Sequence, residues 1–335
     1  VESGIQNVYI DTDRGLDDEE AVAADVVQAA VEQEIVAAMS APDDRLVRAS
    51  VREEMARARK VHEQAHKVVR SMMGDVRLGK AVSLEDAEPV VEAITSSVLR
   101  NSNALMGLIG IKNKDDYTFL HSVSVCTLMI AFGRSLGLAG EELRQGGIGG
   151  LLHDIGKMKV PDEVLNKPGR LTDAEFDLIK KHPGDGHAVL LETAGIGAVP
   201  LDITRHHHER LDGSGYPDRL AGDAISVMAR MAAIVDVYDA ITADRCYHKG
   251  MPAAEALRKM WEWSSAHFDQ KLLQAFMRCV GIYPVGSLVR LESGRLGVVT
   301  EQNESSLLTP RVRTFFSTRS NGYIKPELVD LGRKL

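Results

Sequence analysis

The segment at residues 207–217 reads His-His-Glu-Arg-Leu-Asp-Gly-Ser-Gly-Tyr-Pro. It opens with two adjacent imidazoles and continues into a turn, because Gly213 and Gly215 permit a tight backbone and Pro217 stiffens it. A purely structural turn accounts for the glycines, but it does not account for Tyr216. The two histidines are candidate metal ligands.

Further potential ligands lie on both sides of this segment. His153, Asp154 and His182 precede it, and Asp236 follows it. Imidazole and carboxylate together suit first-row transition metals, while the lack of thiolate argues against a structural zinc finger. So many ligands exceed what one ion needs. The pattern therefore predicts a cluster of two or three metals, of the kind that hydrolyses phosphate esters.

Two residues, His121 and Asp236, are ambiguous on their own. His121 lies among apolar neighbours, where a histidine is more often part of the core than a ligand. Asp236 lies in an apolar segment that would bury its carboxylate, and a buried carboxylate needs a partner. Metal ligation is the simplest partner for it. Asp239, three residues further on, shares roughly the same helical face.

The fold class follows from the hydrophobic periodicity. Between about residues 89 and 281 the chain is predicted to be almost entirely helical, with breaks at glycine- and proline-rich clusters. Thr172 and Glu175 predict a capping box for a short helix. That helix is expected to end at His182, because Pro183 cannot continue it. The protein is thus predicted to be mainly α.

We expect an N-terminal extension at residues 1–88 that comprises a short β piece at 8–10, an acidic linker and a long helix from about 43 to 73. This helix carries a heptad-like stripe: Val51, Met55, Ala58, His62, Ala65, Val69 and Met72. The stripe fits a homodimerising or signal-relaying helix and a helix laid on the catalytic domain equally well.

The pattern changes after the helical region, which we assign to a catalytic domain at 89–283. Residues 287–291 and 296–300 alternate apolar and polar side chains around a Gly-containing turn, as in a hairpin. Residues 311–316 are a third candidate strand. We therefore predict a small β appendage at 284–335 without chemistry of its own.

Composition narrows the class of protein. The 335 residues carry a formal net charge of −8, which argues against binding to nucleic acid polymers but not against a small anionic ligand. Three scattered cysteines indicate reduced thiols. No apolar run approaches the ~20 residues of a membrane span, and the N-terminus does not resemble a signal peptide. We expect a cytoplasmic protein without membrane contact.

Four motifs together decide the family. The 207–217 segment, the segment His-Asp-Ile-Gly-Lys at 153–157, Lys-His-Pro at 181–183 and the segment at 236–245 closely resemble the HD-GYP family. These are bacterial cyclic di-GMP phosphodiesterases within the HD metal-phosphohydrolase superfamily. The resemblance extends over about residues 94–281 and implies an all-helical HD-type catalytic domain.

The resemblance also implies the metal ligands. Position by position they fall on His121, His153, Asp154, His182, His207, His208 and Asp236. His206 is then a bystander. Family members with three metals carry a Glu one helical turn before the first His, where this chain has Tyr117. We therefore expect two divalent ions, Fe above all, with Mn or Ni as alternatives, and His208 as the least certain ligand.

Substrate contacts are implied in the same way. Lys157 matches a lysine that binds the substrate phosphate, and Arg245 matches a phosphate-binding arginine. Where the family often has a further Lys or Arg, this chain has His248, followed by Lys249. Gly215, Tyr216 and Pro217 are expected to border the substrate and to contact diguanylate cyclase domains.

The expected reaction is hydrolysis of cyclic di-GMP to pGpG, and more slowly to GMP, by a hydroxide that bridges two metals. Asp154 would hold the metals, Lys157 would stabilise the phosphate charge, and Lys157 or Asp239 would protonate the leaving group. Two alternatives remain open. One is a weakly active or inactive cyclic di-GMP sensor that binds diguanylate cyclases, and the other is a phosphohydrolase for a related cyclic dinucleotide.

Overall fold

The computed structural model describes residues 49–109, 117–243, 250–303 and 306–333, without the side chains of Arg52 and Tyr117. The predicted β piece at 8–10 and the acidic linker lie outside the described residues. Within the described ranges, no helix is both long enough and apolar enough to cross a bilayer.

The described chain is a helical assembly followed by a small sheet, which confirms the predicted fold class. The helices are α1 (Val51–Arg77), α2 (Leu84–Ile109), α3 (Tyr117–Ser135), α4 (Gly140–Leu152), α5 (Asp162–Leu165), α6 (Asp173–Ile179), α7 (His182–Leu191), α8 (Ala198–His206), α9 (Val227–Thr242), α10 (Ala253–Trp263) and α11 (Gln270–Val280). Short 3₁₀ turns span Ile155–Lys159 and Gly222–Ala224.

Helix α4 lies at the centre because its glycines allow close approach on two sides. A Cβ atom added at Gly149 would lie 2.5 Å from Ile203 Cδ1 of α8, and one added at Gly150 would lie 3.1 Å from Cys126 Cα of α3. Distances this short leave no room for a side chain. The C-terminal end of α4 is therefore held between α3 and α8.

Helix α1 packs on the rest of the domain. It begins with a capping box between Ser50 and Glu53. In its stripe, Ala58, Ala65, Val69 and Met72 are buried within this chain, and α2 is its main neighbour. Of the two interpretations left open by the sequence, the structure supports the helix laid on the catalytic domain, since these residues are already covered.

The predicted end of one helix is wrong. The capping box of Thr172 and Glu175 is present, but α6 ends at Ile179 and a new helix, α7, begins at His182. Pro183 lies in the first turn of α7, where its missing N–H costs nothing because the residue four positions earlier, Ile179, lies outside that helix. Pro183 thus starts a helix instead of ending one.

The C-terminal sheet is antiparallel in the order β1-β2-β3-β4. Strands β1 (Leu288–Arg290), β2 (Arg295–Glu301) and β3 (Arg311–Ser317) confirm the three predicted strands, and β4 (Gly322–Asp330) was not predicted. Pro326 interrupts the strand pattern of β4. An edge strand tolerates proline because one of its sides has no ladder hydrogen bonds to lose.

Two glycine substitutions test the packing of α4. Gly150→Ala should lower the free energy of unfolding by about 1–3 kcal/mol, because the added methyl group overlaps α3. The control Gly74→Ala lies in α1, where an added Cβ meets nothing within 4 Å, and should raise it by roughly 0.5–1 kcal/mol. Urea denaturation measures both, and equal stabilities for the two variants would contradict the packing argument.

Candidate metal centre

The seven predicted ligands converge from five helices. His121 lies on α3, His153 and Asp154 directly follow α4, His182 opens α7, His207 and His208 directly follow α8, and Asp236 lies on α9. Six of the seven are buried, each less than a tenth exposed, and the side chain of His208 is 22% exposed. Most of these residues lie at helix ends, where the chain turns their side chains inward.

A first group joins Asp154 to three histidines. Its ligand atoms, from Asp154, His182, His207 and His208, all lie within 4.8 Å of one another. Asp154 Oδ1 is 3.2 Å from His182 Nε2 and 3.8 Å from His207 Nε2. The two Nε2 atoms are 3.3 Å apart. This group has the size of a single ion site.

A second group uses the other oxygen of Asp154. Asp154 Oδ2 lies 3.3 Å from His153 Nε2 and 3.5 Å from His121 Nε2, and these two nitrogens are 3.3 Å apart. Asp236 Oδ1 is 2.9 Å from His121 Nε2. Asp154 thus faces one group with each oxygen, and the His/Asp cluster suggests a site for two metals.

The opposite nitrogen of each buried imidazole fixes its orientation. The Nδ1 atoms of His153, His182 and His207 donate to the carbonyl oxygens of Gly150 at 2.8 Å, Ile179 at 2.7 Å and Thr204 at 3.0 Å. His121 Nδ1 lies 2.6 Å from Asp239 Oδ2. Because Nδ1 carries the proton, the lone pair of each Nε2 points into the cluster.

The donor set fits bound cations. Asp154 Oδ1 is buried and accepts no hydrogen bond from the described residues, although two Nε2 atoms face it. Electron-pair donors at these separations repel one another unless a positive charge lies between them. Imidazole nitrogen and carboxylate oxygen are the ligand atoms that first-row transition metals prefer. The cluster is therefore built to hold positive charge.

The protonation states support this conclusion. Burial keeps the pKa of His207 well below its usual value and lowers the pKa of His208 to about 3, so both offer lone pairs at neutral pH. For His153, burial acts in the same direction, but the charges of Asp154 and Asp236 raise its pKa to about 10. In the absence of a cation, a proton on His153 balances the charge of these carboxylates, and a bound metal would displace that proton.

Lys157 lies at the edge of the cluster. Its Nζ donates to Asp154 Oδ2 at 2.5 Å, and its side chain is 22% exposed. Gly156 makes this position possible, because an added Cβ would lie 2.0 Å from the carbonyl oxygen of His182. The 3₁₀ turn therefore lies directly on α7. It places the ammonium group of Lys157 between the buried carboxylate and solvent.

The Gly-Tyr-Pro segment folds back onto His208. The ring of Tyr216 lies against His208, with centroids 4.8 Å apart and planes inclined at 35°. The Tyr216 amide donates to the carbonyl oxygen of His208 at 3.3 Å. A Cβ at Gly215 would lie 2.5 Å from Arg210 N, so this return requires glycine.

The remaining sequence candidates lie elsewhere. His206 contacts Asp202 and Asp218 through its two ring nitrogens and belongs to neither ligand group of the described residues. Asp239 lies behind His121, away from the Nε2 atom that faces the cluster. Arg245, His248 and Lys249 lie outside the described residues.

Comparisons with known proteins identify the family of this chain. The model of the HD domain matches residues 108–272, and that of a domain of unknown function, DUF3391, matches residues 1–87. The cyclic di-GMP phosphodiesterase PA4108 of Pseudomonas aeruginosa is 51% identical over 334 residues, which cover 99% of this chain and 78% of that protein. The chain belongs to the HD-GYP family.

Other relatives match about half of this chain. The cyclic di-GMP phosphodiesterase response regulator RpfG of Xanthomonas campestris is 38% identical over 164 residues, 48% of this chain and 42% of that protein. The 3′3′-cGAMP-specific phosphodiesterase 1 of Vibrio cholerae is 38% identical over 166 residues, 49% of this chain and 38% of that protein.

A solved structure shares the fold. Bd1817, an HDG"Y"P protein from Bdellovibrio bacteriovorus, superposes on this chain with a TM-score of 0.56 at 21% sequence identity. The match covers 75% of this chain and 78% of that one. The helical architecture of this chain is therefore that of an HD-GYP protein.

Removing ligands should remove metals in a defined pattern. Wild-type protein loaded with Mn(II) should hold about two ions per chain. Asp154→Ala should lose both, because it contributes to both groups, whereas His182→Ala should lose about one. Mass spectrometric metal analysis measures the ratio. The control His187→Ala changes a histidine of α7 outside both groups and should retain the wild-type content; full metal content in Asp154→Ala would contradict the shared carboxylate.

Proposed function

We propose that this protein is a metal-dependent phosphodiesterase that hydrolyses cyclic di-GMP to linear pGpG, and more slowly to GMP. The observation that carries the proposal is the pair of ligand groups that share Asp154, in a chain 51% identical over nearly its whole length to a cyclic di-GMP phosphodiesterase. The phosphate group of a phosphodiester is negatively charged, and two bound cations would attract that charge.

The chain's own residues would divide the metal binding between them. His182, His207, His208 and Asp154 would hold one ion, and His121, His153, Asp236 and Asp154 would hold the other. Such ions, with Fe favoured and Mn or Ni as alternatives, supply an activated water and bind phosphate oxygens. Asp154 fixes the separation of the two ligand groups, because it contributes one carboxylate oxygen to each and the distance between those oxygens is constant.

Lys157 is proposed to bind the substrate phosphate. Its ammonium rests on Asp154 Oδ2 and is partly exposed, so it can reach a non-bridging oxygen of a phosphate at the cluster. There it would stabilise the charge that develops during hydrolysis. Because it carries a proton and faces the cluster, Lys157 is also our candidate for protonating the leaving oxygen.

Asp239 is better suited to another role than proton donation. Its carboxylate is 3% exposed and accepts from His121 Nδ1 at 2.6 Å. A carboxylate in this position orients a metal-binding imidazole and raises its basicity. We propose that Asp239 positions His121, while Arg245 and Lys249 remain predicted phosphate contacts on the basis of the family resemblance.

The Gly-Tyr-Pro segment is proposed to border the substrate. Tyr216 lies on His208, the most exposed of the predicted ligands, and so stands where a nucleotide would approach the cluster. The same turn, in which Gly215 is buried and Tyr216 and Pro217 are partly exposed, is the predicted contact for diguanylate cyclase domains. Loss of cyclase binding in Tyr216→Ala, measured by calorimetry, would support that partner.

Lys157→Ala should reduce kcat/KM for cyclic di-GMP by about 10²–10³-fold, because a charge that stabilises the transition state is removed. The control Lys159→Ala removes a lysine two residues away that is exposed to solvent and should leave the rate unchanged. Steady-state assays with Fe(II)- or Mn(II)-loaded protein measure both. Equal rates for the two variants would remove Lys157 from the mechanism.

The order of products tests the consequence of Tyr117. This residue begins α3 one turn before His121, where family members with three metals have a Glu. We expect pGpG to accumulate well before GMP in a chromatographic time course. GMP appearing as fast as pGpG would count against a two-metal enzyme.

The same hydrolysis assay also tests two alternative functions: a phosphodiesterase for a related cyclic dinucleotide and a cyclic di-GMP sensor. The resemblance to a 3′3′-cGAMP-specific phosphodiesterase makes 3′3′-cGAMP the second substrate to include, and a higher kcat/KM for it would reassign the specificity. No turnover of either nucleotide by fully metal-loaded protein, with retained cyclic di-GMP binding, would establish a sensor. Asp154→Ala serves as the inactive control.

A further inference from the structure

Asp218, the residue directly after Tyr216 and Pro217, is hydrogen-bonded through both its side chain and its main chain although it lies in an exposed loop. Its two carboxylate oxygens accept from Arg205 Nε at 2.6 Å and from Arg205 Nη2 at 2.8 Å, a bidentate pair. Oδ2 also lies 3.0 Å from His206 Nε2. Both partners are the last two residues of α8.

The main chain of Asp218 is held as well. Its amide donates to Glu209 Oε1 at 2.7 Å, and Glu209 is only 2% exposed. Residues 205–209 therefore contain three contacts to Asp218 (from Arg205, His206 and Glu209) on either side of the ligands His207 and His208. A single exposed ion pair contributes little to stability, whereas this arrangement fixes both the side chain and the backbone of one residue.

The contacts extend to the helix that carries Asp236. His206 Nδ1 lies 2.6 Å from Asp202 Oδ1, and the other oxygen of Asp202 accepts from the hydroxyl group of Ser226. Ser226 caps the N-terminus of α9. One hydrogen-bonded network thus joins the Gly-Tyr-Pro turn to the ends of two ligand-bearing helices.

We propose that Asp218 is a positioning residue that holds Tyr216 against His208 and thereby shapes the entrance to the substrate site. Arg205, His206 and Glu209 act as its anchors, which gives His206 a role beside the metal ligands without metal binding. This inference rests on the proposed function, since the entrance matters only if a nucleotide binds there.

The kinetic test compares Asp218→Ala and Asp218→Asn with wild type. Asp218→Ala should raise KM for cyclic di-GMP roughly tenfold and change kcat less than about twofold. The expected rise in KM is larger than the loss of one exposed ion pair would cause, and smaller than the effect of displacing a group that contacts the reacting atoms. Asp218→Asn keeps one acceptor oxygen and should lie in between. Metal content should equal that of wild type in both variants.

A matched control removes a comparable ion pair far from the site. Glu327 on β4 pairs with Arg295 at 2.7 Å, and Glu327→Ala should leave KM and kcat unchanged. Hydrogen–deuterium exchange supplies a readout that needs no substrate. The Tyr216 amide, which donates to His208, should exchange about tenfold faster in Asp218→Ala, since the turn is no longer anchored.

The outcomes separate this inference from the proposed function. Unchanged KM overturns it, whether or not the Tyr216 amide exchanges faster, and so does loss of metal from Asp218→Ala, because the effect would then act through the ligands. If wild type hydrolyses neither nucleotide but Asp218→Ala still accelerates exchange at Tyr216, the proposed function fails while the anchoring of Tyr216 stands.

Discussion

The rest of the structure depends on the convergence of lone pairs around Asp154. Four imidazoles direct Nε2 at its two oxygens because the opposite nitrogens are held by the carbonyl groups of Gly150, Ile179 and Thr204 and by Asp239. In a buried, low-dielectric environment this arrangement is unfavourable without a positive charge. The hydrogen bonds that orient these imidazoles therefore favour the binding of cations in the cluster.

Helix ends and glycines make that convergence possible. Carbonyls in the last turn of a helix have no partner within the helix, and His153, His182 and His207 use such carbonyls or those of the preceding turn. The glycines of α4 and Gly156 then allow the helix ends to approach within a distance that any side chain would prevent. The same few backbone contacts thus orient the metal-binding histidines and bring the ends of their helices together.

Much of this was predictable from sequence, and the exceptions have physical causes. The capping box at Thr172 and three strands depend on local patterns, and they were predicted within about two residues. The end of α6 and strand β4 were not, because Pro183 and Pro326 are tolerated in a first helical turn and at a sheet edge, positions that are defined only after folding. The stripe on α1 was ambiguous because periodicity shows which face is apolar but not what covers it.

The sequence by itself determined the chemistry: the ligand types, their order along the chain and the family, because these depend on residue identity and spacing. Only the tertiary structure decided how they divide, with Asp154 shared by two groups, Asp239 behind His121 and Asp218 anchored beside His206. These are contacts across long separations, 118 residues in the case of His121 and Asp239. Side-chain direction at such distances is set by helix packing, which no local pattern encodes.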